Sequence, residues 1–395
     1  MLCMQKRGAR TVGVSGGKKG KRGSSARSKL FTASATMAGT IIGAGILGLP
    51  YVFAQSGFLI GMFWLVFLSI VLLVSKLYLG EVALRTKGNH QLTGYAQKYL
   101  GNWGRRLMFF AMIFGIYSAL LAYLIGEGES LSQLFTGSSN YILFFGILFW
   151  IVISILVQEG MRGLKKVEKW GVMVIIVIIV GLFIYYLPQV QIENLTYIGG
   201  GKFFLPFGII LFALLGFSSL PEIKQELGNS KKLFKKSIII GSIIPLVLYF
   251  MFTFIFVGVL GRNVSEVATL SFGVIVLLLG VFTMLTSFFV LSFVMLDMFR
   301  LDFGWSKKKA RFYAQVVPVL LFVLVQGLGL LSFAEILGIA GVVSGGLTAV
   351  LILMMAKNSK KLGDRKPEYE LKINWPIIII LSVIFLLGVI FELFF

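Results

Sequence analysis

The chain has 395 residues, 57% of them hydrophobic and 13% charged, with 37 Lys and Arg against 16 Asp and Glu for a formal net charge of +21. Such a composition lies outside that of water-soluble domains, excludes a large aqueous domain and points to a multi-pass membrane protein. One cysteine, Cys3, and one histidine, His90, exclude an internal disulfide, a cysteine metal site and chemistry built on clustered imidazoles.

Residues 1–29 are Gly, Ser, Lys and Arg without apolar periodicity, which predicts a disordered basic cytoplasmic tail. The run 13–19 misses the spacing of a phosphate loop. About 20 apolar residues cross a bilayer at about 1.5 Å each. By that measure spans are expected near 30–55, 57–80, 107–134, 140–158 and 169–188, then near 203–222, 237–260, 267–299, 312–330 and 332–356, with a last one near 374–395. The fold class expected is therefore an all-α polytopic membrane protein of eleven transmembrane helices.

Lysine and arginine concentrate in cytoplasmic connections. With the amino terminus inside, the tail and segments 81–106, 159–169, 223–236, 300–311 and 357–373 hold 34 of the 37 basic residues. Topology thus accounts for the charge without nucleic acid as a partner. It predicts a protein of the cytoplasmic membrane with its amino terminus inside and its carboxyl terminus outside. Five spans in each half force the second half to insert upside down, giving a 5+5 inverted repeat plus one C-terminal helix. The units are then 30–190, 191–356 and a closing 357–395 that holds a basic inner loop and the last span.

The first span contains Met37-Ala38-Gly39-Thr40-Ile41-Ile42-Gly43-Ala44-Gly45-Ile46-Leu47-Gly48-Leu49-Pro50. Non-helical backbone survives at membrane depth only where protein or a wet cavity satisfies it, and glycine permits the unwinding. A helix broken at midplane exposes N–H groups on one side and carbonyls on the other, which secondary transporters use to hold substrate and coupling ion. The sixth span repeats the feature in Phe212-Ala213-Leu214-Leu215-Gly216-Phe217-Ser218-Ser219-Leu220-Pro221-Glu222. Discontinuous helices 1 and 6 are therefore expected. The plainer alternative for Gly39 and Gly43 is a close helix crossing of the small-xxx-small kind.

Residues 39–50, followed by Phe53-Ala54-Gln55-Ser56-Gly57-Phe58, closely resemble the first span of the amino acid/auxin permease family and its relatives among aromatic amino acid permeases. Residues 214–223 look like that family's sixth span. The resemblance implies the leucine-transporter fold and amino acid import coupled to sodium ions or protons by alternating access.

A substrate carboxylate is expected on the N–H groups of Gly43, Ala44 and Gly45, beside Thr40 and Ile46, because a helix start offers unpaired donors and a positive dipole end. The amino group is expected on carbonyls around Phe212 to Leu215, with Ser218 and Ser219 nearby and Gly216, Phe212 and Phe217 shaping the pocket. Thr283, Thr286 and Ser287 place three hydroxyls on one helical face. The resemblance implies that the Thr286 and Ser287 hydroxyls join the carbonyls of Gly39, Ile42 and Thr283 in a sodium site; no cofactor is expected beyond Na⁺ as a coupling ion. Bonding of those hydroxyls to their own i−4 carbonyls is the alternative. Glu335, Glu127 and Glu129 are the candidate proton-linked carboxylates, since charge inside a membrane is functional by default. Lys76 and Lys169 are expected to snorkel to headgroups.

Partners are an amino acid substrate and membrane lipid. An enzyme is not expected, because paired His, Cys or clustered carboxylates at midplane depth are lacking. A channel is the rival, but it would want a continuous polar pore.

Overall fold

The computed structural model describes residues 26–159 and 164–394. Most of the tail 1–29 lies outside the described residues, as do the side chains around Lys169. The first helix already begins at Ala26, four residues inside the stretch expected to be a tail.

The elements are helical throughout the described residues: α1 (Ala26–Ile41), α2 (Gly45–Ser56), α3 (Phe58–Arg85), α4 (Leu92–Thr136), α5 (Ile142–Glu159), α6 (Leu164–Tyr186), α7 (Ile192–Thr196), α8 (Leu205–Ala213), α9 (Leu220–Leu227), α10 (Phe234–Leu260), α11 (Val274–Asp297), α12 (Lys307–Arg311), α13 (Val317–Leu328), α14 (Phe333–Ala340), α15 (Leu347–Leu362) and α16 (Trp375–Phe394). Among the described residues, eight stretches are long and apolar enough to cross a membrane, and α1 with α2 makes a ninth that is bent by 55°. Helices also stand where two further crossings were expected, but their apolar described parts, 142–157 and 173–189, are shorter.

Burial follows helical period. On α3, Leu65, Leu68 and Leu72 are buried, while Leu59, Phe63, Val66 and Ile70 form an exposed apolar stripe on the opposite face. A helix apolar on both faces is stable in hydrocarbon, where the outward stripe meets lipid rather than water.

One stretch departs from expectation. The inner segment 81–106 was read as a connection, yet α3 runs on to Arg85 and α4 starts at Leu92 and is bent at Gly101, whose φ is +72°. Hydropathy is blind to a polar helix lying outside the membrane, and only glycine takes that φ without strain.

The connection between α15 and α16 is tied down beneath α3. The buried Glu81 carboxylate receives Arg85 Nε at 2.8 Å, Lys360 Nζ at 2.6 Å and the Leu371 N–H at 2.8 Å. Tyr369 donates to the Leu77 carbonyl at 2.7 Å and Tyr78 to that of Lys372 at 2.8 Å. Lys76 is accordingly buried rather than snorkelling, because α3 is enclosed from Ser75 to Arg85.

Candidate substrate site at the two helix breaks

The helical ladder of the first span stops at the bond from Ile42 N–H to the Ala38 carbonyl, 2.8 Å. It resumes with Ile46 N–H on Gly43 O at 3.3 Å and Leu47 N–H on Ala44 O at 2.9 Å. The N–H groups opening α2 therefore have no acceptor within that helix. In the sixth span α8 ends at Ala213, Leu214 to Gly216 are irregular, and a 3₁₀ turn over Phe217–Ser219 leads into α9. Gly216 sits at φ +145°, a conformation that only glycine adopts freely.

The two breaks interlock. A Cβ on Gly45 would fall 2.5 Å from the Ala213 Cα, and one on Gly216 would fall 2.6 Å from the Ile41 Cγ1. The glycine of each break thus presses on the last helical residue of the other span. Two tyrosines hold the junction from either side. The Tyr249 hydroxyl, on α10, lies 2.8 Å from the Ile41 carbonyl and 2.8 Å from the Ala213 carbonyl. The Tyr123 hydroxyl, on α4, faces the Ala44 N–H and the Ser287 hydroxyl, and would touch a Cβ on Gly43 at 3.4 Å. Helix carbonyl ends carry partial negative charge and helix starts partial positive charge. The junction therefore offers acceptors at Ile41 and Ala213 and donors from Gly43 to Gly45, within a few residues of one another.

The remaining candidates are placed as follows. Thr40 donates to the Thr36 carbonyl at 2.9 Å, and Ile46 is buried. Phe212 and Leu215 are half-buried, Phe217 is buried and Ser218 is exposed. Ser219 donates to the Gly216 carbonyl at 2.8 Å, with Met37 Sδ at 3.1 Å. Thr283 donates to Leu279 O at 2.8 Å, and Thr286 lies 3.0 Å from both the Phe282 and Thr283 carbonyls. Those hydroxyls spend their hydrogens within α11 and keep their lone pairs. Ser287 Oγ reaches the first break, 3.6 Å from a Cβ on Gly43. A bound Na⁺ would draw on Thr286, Ser287 and the carbonyls of Gly39 and Ile42. This donor set is all oxygen, as a hard cation requires.

Glu335 closes a capping box at the start of α14: its N–H donates to Ser332 Oγ at 3.3 Å and its carboxylate receives the Ser332 N–H at 2.8 Å. Glu127 is fully buried with neither oxygen hydrogen-bonded among the described residues. Glu129 lies beside Glu266, which receives the Ala334 N–H at 3.1 Å.

Burial around the junction is uneven. Residues 44–50 are buried, and a Cβ on Gly48 would already be 3.3 Å from both Ile209 and Leu337. On the other side Ser218 is exposed and Thr36, Gly39, Thr40, Gly43 and Leu215 are half-buried. An apolar cleft of about 320 Å³ between α4, α13 and α14 lies apart from the breaks, lined by residues such as Phe114, Tyr117, Leu321 and Ile336.

Sequence reading passed over Tyr123, Tyr249 and the glycines of the tenth span. A hydroxyl in the middle of an apolar run was the available signal for the tyrosines. Gly338, Gly341 and Gly345 carried another, and a Cβ on Gly341 would collide with the Gly208 carbonyl of α8. The turn from Gly341 to Gly346 is π-helical, a common local adjustment at functional positions.

Two interrupted helices that meet by their loose ends among apolar helices long enough to cross a bilayer define a multi-pass membrane protein, and the family to which the chain belongs makes it a transporter. The chain belongs to the tryptophan/tyrosine permease family, whose model matches residues 26–271. Glutamine transporter 2 of Aliivibrio fischeri is 25% identical over 87% of this chain and 93% of its own length. Tyrosine-specific transport system 1 of Haemophilus influenzae is 27% identical over 58% of this chain and 57% of its own. The crystal structure of MhsT in complex with L-phenylalanine superposes with a TM-score of 0.66 at 18% identity, covering 92% of this chain and 97% of that one. The fold is thus the leucine-transporter fold, and the resemblance read from residues 39–58 and 214–223 is borne out.

Proposed function

We propose that this permease imports neutral amino acids, aromatic ones among them, across the cytoplasmic membrane by alternating access, coupled to Na⁺ or H⁺. The observation that carries the reading is the reciprocal contact of the two breaks, Gly45 on Ala213 and Gly216 on Ile41. It brings the donors that suit a carboxylate and the carbonyls that suit an ammonium to one place, as a zwitterion demands. The substrate carboxylate sits on the N–H groups of Gly43 to Gly45. Its ammonium sits at the carbonyl ends around Ile41 and Phe212 to Leu215, and its side chain against Phe212, Leu215 and Gly216.

The relatives named for tyrosine and for glutamine support neutral substrates. Residue symmetry between the breaks supports a 5+5 inverted repeat of 30–190 and 191–356, eleven crossings in all. The distribution of basic residues supports an inner amino terminus and an outer carboxyl terminus. In that orientation the half-buried side of the junction faces the cytoplasm and the packed residues 44–50 close the outer side. For Na⁺, Gly39, Ile42, Thr283, Thr286 and Ser287 supply the oxygens. For H⁺, Glu127 is favoured over Glu335, whose carboxylate is engaged in its cap.

Uptake of labelled tyrosine, tryptophan and glutamine into proteoliposomes, under imposed Na⁺ and pH gradients in turn, tests the reading. Saturable, gradient-driven uptake of at least one is expected, and its loss in Gly43→Leu. Uptake that neither saturates nor responds to a gradient would contradict it.

A further inference from the structure

We infer that the Glu127 carboxyl is the proton-carrying group that couples transport to a pH gradient. The inference rests on the transport reading above and adds which ion is carried and on which atoms. The local sequence is Gly126-Glu127-Gly128 in α4. A Cβ on Gly126 would stand 2.7 Å from Met284 Sδ of α11 and 3.1 Å from the Phe333 ring of α14. One on Gly128 would stand 2.6 Å from the Ile142 carbonyl at the start of α5. Two glycines thus let three neighbouring helices close over the glutamate between them. It has no exposed surface, and neither oxygen has a hydrogen-bond partner among the described residues.

Among the described residues no basic group acts on it. From α11 come Met284 and the main chain at Leu285, and from the start of α5 the Ile142 carbonyl. On α4, Glu129 lies beside Glu266 instead, and Tyr123 is the titratable group one turn away. Glu335 of α14 is held by Ser332. A carboxylate stripped of water with no cation beside it is disfavoured, so this enclosure suits the neutral acid.

Tyr123 precedes Glu127 by four residues and therefore shares its helical face. It meets Ala44 of the first break and Ser287 of α11, the helix that also covers Glu127 at Met284 and Leu285. Any shift of α4 against α11 that opens the junction changes both contacts together. The carboxylate takes one proton, forming the O–H bond, where the site opens to the outer side. It is carried as the acid through the closed state and releases that proton to water where the site opens inward.

Proteoliposomes test this with labelled tyrosine, tryptophan and glutamine as probes, a gradient of about one pH unit acid outside, and counterflow exchange without a gradient. For one proton per substrate the native protein accumulates a probe up to about tenfold. Glu127→Gln, a neutral isostere, is expected to exchange within about twofold of the native rate, to accumulate nothing beyond about onefold and to lose its pH profile. Glu127→Asp restores accumulation. Native accumulation by Glu127→Gln would overturn the assignment. So would native uptake driven by a Na⁺ gradient and indifferent to pH, or loss of exchange in both variants, which marks a merely structural role. A native protein that exchanges none of the probes would overturn the transport reading and this inference with it.

Discussion

Gly45 and Ala213 stand in direct contact: a Cβ on Gly45 would fall 2.5 Å from the Ala213 Cα and 3.2 Å from its main-chain nitrogen. The obstacle is backbone of the opposing broken helix, so it cannot rotate away as a side-chain end could. Overpacking of this kind costs about 1–3 kcal/mol. Placed between the two breaks, that cost falls on substrate geometry. Gly45→Ala is expected to weaken substrate binding about tenfold or more while leaving insertion intact, as read by equilibrium binding and by the yield of monodisperse protein. Native affinity in this variant would mean that the breaks are not the site.

The Tyr249 hydroxyl has one hydrogen and two carbonyls at 2.8 Å, those of Ile41 and Ala213. Tyr249→Phe keeps the ring and leaves both buried acceptors without that donor, at a cost of about 1–3 kcal/mol. Lower thermal stability in detergent and slower uptake are expected. Tyr185→Phe, at an exposed position, serves as the control that changes neither.

The tenth span separates two glycines by mechanism. A Cβ on Gly341 would collide with the Gly208 carbonyl, whereas one on Gly346 would meet Phe385 Cβ at an ordinary 3.5 Å. Gly341→Ala should sharply reduce folded yield. Gly346→Ala should be tolerated, since alanine also favours helix over glycine by about 1 kcal/mol. Equal yields of the two would remove the close approach of Gly341 to α8 from the account.

The Asp364 carboxylate, outside the spans, is held below its ordinary 3.8 by its pairing with the Lys98 ammonium and then by the Lys87 N–H at 2.8 Å. A carboxylate whose acidity is strengthened by folding stabilises the docked segment above its ordinary value, and that contribution is lost as pH falls through the lowered one. Hydrogen exchange of 363–374 should therefore accelerate only in acid below that ordinary value. Asp364→Asn should show the faster exchange already at neutral pH. An exchange rate in the variant equal to the native one would show that this pairing does not dock the segment.

Most helix positions were legible because a spanning helix needs its apolar length in one piece, and the break of the first span was legible because glycines at 43 and 45 interrupt that length, while Pro50 lies inside the helix that follows. The polar helix over Leu92–Leu100 was not, since hydropathy reports membrane crossing rather than helicity. Ser218 and Ser219 show the limit within the site. Adjacent in sequence and read alike, they differ in placement, with Ser218 exposed and Ser219 buried against Met37. Facing inside an apolar span is set by the neighbouring helices, and Tyr123 and Tyr249 became visible only when α4 and α10 were seen to turn them inward. By sequence Glu335 stands ahead of Glu127, which is expected at the outer mouth and as readily exposed as functional; the structure buries Glu127 fully. A serine three residues away engages one, and two flanking glycines bury the other.

The claim on which the rest depends is that the paired breaks bind the amino acid. Equilibrium binding of labelled tyrosine, tryptophan and glutamine to the purified protein, to Gly45→Ala and to Gly216→Ala tests it most directly. One saturable site per chain for at least one ligand, weakened about tenfold or more in both variants, is the expected result. Binding of native strength in both variants would contradict the account.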